Sequence, residues 1–170
     1  MSVYTFGLSE ILVGNVLETG LMPALNTLTK LGEVLEGTAT MTQEAGDRTE
    51  FREEGVITPK VVIQKAGSWS WNFNIMNADP AMLASYLGGT VTNGVWNYLG
   101  ETVNIEKAIM IKPKQGLYWQ LPKAAISAVI SGDFNEDGLV TLNFTVSPLS
   151  PGNAKPSILS GKVTDLTPVG

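Results

Sequence analysis

Four stretches of the chain alternate apolar and polar residues, which is the pattern of a strand with one buried face. The alternation predicts antiparallel strands with a common core. The apolar rows are Trp69, Trp71, Phe73 and Ile75; Val103, Ile105, Ile109 and Ile111; Ile126, Ala128, Ile130 and Phe134 within the segment Lys123 to Phe134; and Val140, Leu142, Phe144 and Val146. In the second row Lys107 interrupts the apolar positions, which indicates a sheet edge or a bulge.

The polar segment Asn135-Glu136-Asp137-Gly138 separates the last two of these rows. A turn ending in Asp-Gly between two alternating runs predicts an antiparallel hairpin. Asp133 to Gly138 also matches the opening of a calcium-binding loop, but the twelfth position of that loop is Phe144 and the flanking residues are strand-like. We therefore predict a plain turn, with weak calcium binding as the alternative.

Weaker patterns predict three more strands and one helix. The strands are Ile11 to Leu17, Val34 to Gln43 and Lys60 to Lys65, and the second of these is rich in Thr and poor in apolar residues. Asp79 is a predicted N-cap, Pro80 the first helical residue and Gly88 the stop of a short helix. The predicted class is therefore mainly β, with two packed antiparallel sheets, sandwich-like or barrel-like, and one short flanking helix.

A long charged segment, Glu44 to Gly55, separates two of the predicted strands. It is nearly devoid of apolar anchors, so we predict a loop that is mobile unless something else orders it. Its carboxylates could also be imagined as a hydrolytic pair, which requires a fixed separation in a shielded cleft. We favour a solvated or partner-contacting loop. Its candidate contact residues are Glu44, Asp47, Arg48, Glu50, Phe51, Arg52, Glu53 and Glu54.

Length and composition narrow the classes of function. The chain has 170 residues, 44% of them hydrophobic, and contains neither Cys nor His. We predict one domain over residues 1–170, with an extended N-terminal segment at about 18–31 and a C-terminal arm at about 148–170. Without the commonest general base and thiolate nucleophile, we expect no enzyme, no cofactor and no metal.

Charge and hydropathy bear on partners and location. The net charge is −5 and no segment gathers Lys and Arg, which argues against ordinary nucleic-acid binding. The first residues do not resemble a secretory signal, and no apolar run reaches the ~18 residues that a membrane span needs. We expect a chain made in the cytoplasm, without a membrane partner.

Trp69 and Trp71 leave one binding function open. Neighbouring aromatic rings on a strand can stack on sugars, as in a carbohydrate-binding or adhesin-like β-sandwich module. Alternating aromatics on a strand are more often part of a sheet core. We favour the core.

Between residues 32 and 148 the order of these pieces resembles the major tail tube proteins of long-tailed bacteriophages and the related tubes of contractile injection and type VI secretion systems. The resemblance begins at Gly37-Thr38-Ala39-Thr40-Met41-Thr42 and continues through the charged loop with Phe51 and Glu53-Glu54-Gly55. It includes Phe73-Asn74-Ile75, the helix closed by Gly88-Gly89, and the late strands Ala124 to Phe134 and Leu139 to Val146.

The resemblance implies a virion structural protein of the tail, assembled in the host cytoplasm. Six copies would close into a ring by joining their sheets, and rings would stack into a tube through which DNA passes without specific binding. Other tail proteins would be its further partners. The charged loop would then contact the next ring, and an acidic lumen would repel DNA, in agreement with the sign of the net charge.

Overall fold

The computed structural model describes residues 2–101 and 103–166. They form mainly strands, with one α-helix and two short 3-10 segments, Leu25–Thr27 and Val163–Asp165. The strands are β1 (Glu10–Gly14), β2 (Thr29–Lys30), β3 (Thr40–Gln43), β4 (Arg48–Phe51), β5 (Val61–Gln64), β6 (Trp69–Ile75), β7 (Thr90–Thr92), β8 (Val95–Asn97), β9 (Ile105–Lys112), β10 (Leu117–Ser131), β11 (Thr141–Pro148) and β12 (Leu159–Lys162). Helix α1 is Pro80–Leu87.

One eight-stranded antiparallel sheet provides both layers of the fold. Its order is β2-β1-β9-β10-β11-β6-β3, and β12 pairs with the first part of β10. Strand β10 bends where Pro122 and Lys123 interrupt its pairing with β9, between Leu121 and Ala124. Because β10 contributes to both layers, the sheet folds over on itself at this bulge. The predicted sandwich-like class is confirmed.

The core lies between the two halves of the folded sheet. Phe73 on β6 stacks on Phe144 of β11, with ring centroids 5.2 Å apart, and Ile11 and Ile109 close the core from the other half. The predicted rows on β6 and β11 are confirmed, because Trp71, Phe73 and Ile75, as well as Leu142, Phe144 and Val146, are buried.

Helix α1 covers one end of this core and begins where the sequence predicts. The Asp79 carboxylate accepts a hydrogen bond of 2.8 Å from the backbone N–H of Met82, and the helix stops before Gly88, whose φ is +87°. Tyr86 packs edge-on against Phe144, with centroids 5.0 Å apart. Burial raises the pKa of Tyr86, so the phenol that docks the helix is neutral. The described residues contain no helix long and apolar enough to cross a membrane.

Both terminal segments pair with strands of the main sheet. The predicted C-terminal arm is extended where it returns to the sheet as β12, opposite Leu117 to Gln120. Residues 167–170 lie outside the described part. In the N-terminal segment 18–31, Leu28 and Leu31 are buried, and β2 pairs with β1.

Several predicted boundaries are also wrong. The strand expected from Val34 to Gln43 is interrupted near Gly37, whose φ is +78°, so that only a bridge at Val34 and the strand β3 remain. Strand β10 begins before Lys123 and ends at Ser131. Phe134, expected in its core-facing row, lies in the following turn and is 97% exposed. Strands β7 and β8 were not predicted.

Candidate interaction surface

The charged segment Glu44 to Gly55 is not a loop along its whole length. Residues Arg48–Phe51 form β4, which pairs with β5 through Arg48 opposite Gln64 and Phe51 opposite Val61. Strand β5, which lies beyond the segment in sequence, is the element that orders this part of the predicted loop. Among the described residues, strands β4 and β5 pair only with each other and form a two-stranded sheet of their own. We refer to residues 48–64 as the β4–β5 hairpin.

The β4–β5 hairpin continues the ladder that β3 forms with β6. Gln43 is opposite Trp69 in the sheet, and Arg48 is opposite Gln64 in the hairpin. The two paired segments of the chain therefore have the same number of residues between one ladder and the next. The two backbone segments between the ladders, residues 44–47 and 65–68, approach each other closely, and we refer to them as the neck. A Cβ atom on Gly46 would lie 1.5 Å from the carbonyl oxygen of Lys65, and one on Gly67 would lie 1.7 Å from that of Glu44. Only glycine fits at either position.

The hairpin has one uncharged face and one charged face, because directly opposite residues of an antiparallel pair share a face. The uncharged face carries Thr49, Phe51, Val61 and Ile63. Phe51, Val61 and Ile63 are each about half exposed, and Ile57 near the tip is 88% exposed. The hairpin therefore presents apolar side chains that no element of the described chain covers.

Ion pairs stabilise the charged side of the hairpin. The Glu50 carboxylate lies 2.9 Å from the Arg48 guanidinium and 2.5 Å from that of Arg52, and Lys60 pairs with Glu53. The hydrogen bond from Arg52, aided by the charges of both arginines, lowers the pKa of Glu50 below its usual 4.5. A carboxylate that is this readily ionised is unsuited to general acid catalysis.

The remaining predicted contact residues are spread along the neck and the tip. At the neck, the Glu44 carboxylate accepts a hydrogen bond of 2.9 Å from the Ser68 hydroxyl, and the backbone of Asp47 accepts one from Lys65. Glu53 and Glu54 lie beyond β4 and are exposed. The hairpin thus holds the predicted residues on one projecting element, but it does not bring two of their carboxylates together in a cleft.

Two open edges flank the four-stranded part β3-β6-β11-β10 of the sheet. Within residues 2–101 and 103–166, β3 pairs with β6 alone, and the ladder between β10 and β9 ends at Ile126, opposite Ile105. The core-facing residues next to these edges, Met41 on β3 and Ile130 on β10, are 45% and 46% exposed. An open edge is a template for pairing with another strand.

The turn between β10 and β11, residues 132–140, lies at the end of the sheet remote from the hairpin. It folds around Asn135, whose side chain accepts a hydrogen bond of 3.1 Å from the backbone N–H of Asp137 and whose carbonyl accepts one from Gly138. The predicted hairpin is confirmed, although its turn is longer than the Asp-Gly pair. Its carboxylates form no cluster that could hold a metal ion in the described part of the chain.

Three of the four tryptophans form part of the core. Trp69, Trp71 and Trp119 have ring centroids about 6 Å apart, and Trp71 is only 2% exposed. Trp71 and Trp119 border an open cavity of about 300 Å³ between β3 and residues 5–8, where the Trp71 Nε1–H finds no acceptor among the described residues. This arrangement fits the predicted core better than an exposed platform for sugars.

Sequence reasoning missed the apolar partners of the charged segment. Val61, Val62 and Ile63 belong to the predicted strand Lys60 to Lys65, but their pairing with Arg48–Phe51 was not predicted. The available signal was the alternation of Thr49 and Phe51 with Arg48 and Glu50. No family model matches the chain, and no curated protein matches it.

Proposed function

We propose that this protein is a structural subunit whose copies close into rings and stack into a tail tube that conducts DNA. The observation that carries the proposal is the projecting β4–β5 hairpin with its exposed apolar face. A two-stranded hairpin is at best marginally stable in water without further packing. Contiguous exposed apolar residues are typical of a surface that another molecule covers. The repeated partner supplied by the resemblance is another copy of the chain.

The open edges of β3 and β10 suit ring closure. They lie at opposite sides of the four-stranded part β3-β6-β11-β10, so a head-to-tail contact can join β3 of one copy to residues 127–131 of the next. Met41 and Ile130 would then continue one apolar layer across the junction. Such a heterologous contact closes into a ring when its rotation permits, and closure removes both exposed edges. The number six comes from the resemblance alone.

The outer face of the same four strands suits a lumen wall. It carries small uncharged polar side chains, several of them bonded across strands: the Thr145 hydroxyl donates to Asn72 at 2.9 Å, and the Asn143 amide to Ser131 at 2.7 Å. The expected acidic lumen is therefore revised to a neutral one. DNA passing this face would meet no fixed positive charge to bind its phosphates.

The test is the mass of the purified protein over a concentration series, followed by negative-stain imaging of the most concentrated sample. We expect rings or tubes of uniform diameter, with the β4–β5 hairpin cleaved by protease in the free subunit and protected in the tube. A monomer at every concentration would contradict the proposal. It would favour the alternative of a β-sandwich binding module, carbohydrate-binding or adhesin-like.

A further inference from the structure

The cavity between β3 and residues 5–8 has a mainly apolar wall. It measures about 300 Å³, and strands β1, β9 and β10 close its far side. No charged residue of the described chain lines it. Because burying an unpaired charge costs far more than burying an apolar group, the cavity suits an uncharged occupant. The apolar and aromatic wall includes Ile11, Met41, Trp71, Phe73, Ile111 and Trp119.

The hydroxyl and amide side chains of this wall are few, and most of their bonding capacity is directed elsewhere. The Thr5 hydroxyl accepts a hydrogen bond of 3.0 Å from the backbone N–H of Leu117. The Asn72 side-chain carbonyl accepts one of 2.9 Å from the Thr145 hydroxyl. Thr40 is directly opposite Asn72 and therefore shares the outer face of the sheet with it. A molecule in the cavity thus meets mainly apolar surface.

The indole of Trp71 is the exception. Its side chain is 2% exposed, and its Nε1–H, which can only donate, has no acceptor among the described residues. A buried donor without a partner destabilises the fold. A water molecule is a poor remedy here, since a buried water makes about three hydrogen bonds and the wall offers few polar groups. A molecule with an apolar body and one acceptor would satisfy both the wall and the indole.

Met41 provides a movable wall beside this indole. It lies on the open strand β3, directly opposite Trp71 of β6, so the two side chains share the core-facing side of the sheet. Met41 is 45% exposed, and an unbranched thioether side chain adapts to its surroundings at little cost. A molecule that enters beside β3 can therefore displace this side chain and reach the Trp71 Nε1–H.

We propose that this cavity binds a small, uncharged aromatic molecule that carries one hydrogen-bond acceptor, such as an aromatic ketone. Its ring packs against Trp71 and Trp119, and its oxygen accepts a hydrogen bond from the Trp71 Nε1–H. The volume lies at the small end of the range of about 300–1,000 Å³ that is typical of ligand pockets. The inference goes beyond the proposed tube and does not depend on it, because a single copy of the chain forms the cavity.

A matched pair of probes tests the hydrogen bond. Acetophenone and α-methylstyrene have nearly the same shape, but only acetophenone has a carbonyl oxygen. The chain contains four tryptophans, so a proton–nitrogen NMR spectrum should show four indole N–H signals, and Trp71→Phe identifies the signal of Trp71. We expect acetophenone to move this signal downfield until it saturates, and to bind about tenfold more tightly than α-methylstyrene.

Two variants separate the donor from the cavity. Trp71→Phe keeps an aromatic wall without the N–H, so both probes should bind equally well, as followed on the Trp119 indole signal. Ala39→Leu enlarges a side chain that lines the cavity from an exposed position before β3, so both probes should lose binding while the fold stays stable in urea.

Three outcomes would overturn the inference. They are the absence of saturable binding by either probe, equal affinity of the two probes for the natural chain, and ketone binding that survives Ala39→Leu. These experiments use the purified subunit, so their failure leaves the tube proposal intact. Conversely, a protein that stays monomeric but binds acetophenone as expected contradicts the tube proposal alone.

Discussion

Two ladders follow one another along the same pair of chain segments and differ in the burial of their apolar residues. Strands β3 and β6 form part of the folded sheet, and Trp71, Phe73 and Ile75 of β6 are buried. Strands β4 and β5 continue the pairing beyond the neck, yet every residue of β5 is exposed. Both ladders have similar backbone pairing and β-forming residues.

The difference shows that backbone pairing alone does not determine how much an apolar residue contributes to the stability of the fold. In β6 the apolar row meets the opposite half of the sheet and stabilises the fold. In the β4–β5 hairpin a comparable row of apolar residues is exposed to solvent, so that only another molecule could bury it. The predictions below test whether the first region carries folding stability and the second carries assembly.

The largest effect is expected from Phe144→Ala. The side chain is 1% exposed and contacts Phe73 and Tyr86, so its truncation leaves a cavity among aromatic rings. We expect a loss of ~3–5 kcal/mol in the free energy of unfolding. Urea denaturation followed by circular dichroism measures this loss.

The matched control is Phe51→Ala, the same truncation on the exposed hairpin. We expect a change in unfolding free energy of about 0.5 kcal/mol or less, together with a clear loss of assembly. Equal destabilisation by both variants would mean that the hairpin is part of the core, and the contrast between the two regions would be lost.

The next effect concerns the neck that joins the two regions. A methyl group at position 67 collides with the backbone carbonyl of Glu44, so Gly67→Ala forces the neck to open. We expect a cost of ~1–3 kcal/mol and a redirected hairpin, while the core remains folded. Amide NMR shifts confined to residues around the neck and the hairpin, with loss of tube formation, would confirm this; normal tubes would contradict it.

A smaller effect is expected at the start of α1. Asp79→Ala removes the acceptor for the Met82 N–H and should cost about 1 kcal/mol, whereas Asp79→Asn should retain most of the cap. Because α1 packs on the core and not on the hairpin, assembly per folded molecule should be unchanged. Thermal unfolding and sedimentation of the same samples separate the two readouts.

The sequence predicted those elements whose determinants are local. The alternation in β6 and β11 and the N-cap at Asp79 depend on neighbouring residues, and the structure confirms all three. The β4–β5 hairpin depends on pairing between Arg48–Phe51 and Val61–Gln64 across a turn, which the charge of the segment concealed. The exposure of Phe134 was missed because alternation reports a face of a strand but not where the strand ends.

The smallest effect is the response of the hairpin to acid. The pKa of Glu50 is lowered from its usual 4.5, first by the hydrogen bond from Arg52 and then by the nearby charges, so the ion pairs stabilise the hairpin at pH values above that unfolded pKa. That contribution is lost as pH falls through the lower, folded-state pKa. In an NMR titration the Glu50 carboxyl carbon should therefore change below pH 4.5, and Arg52→Gln should move its midpoint upward. A midpoint that Arg52→Gln leaves in place would mean that the guanidinium does not control this carboxylate, and the charged face would then be weakly ordered before any partner binds.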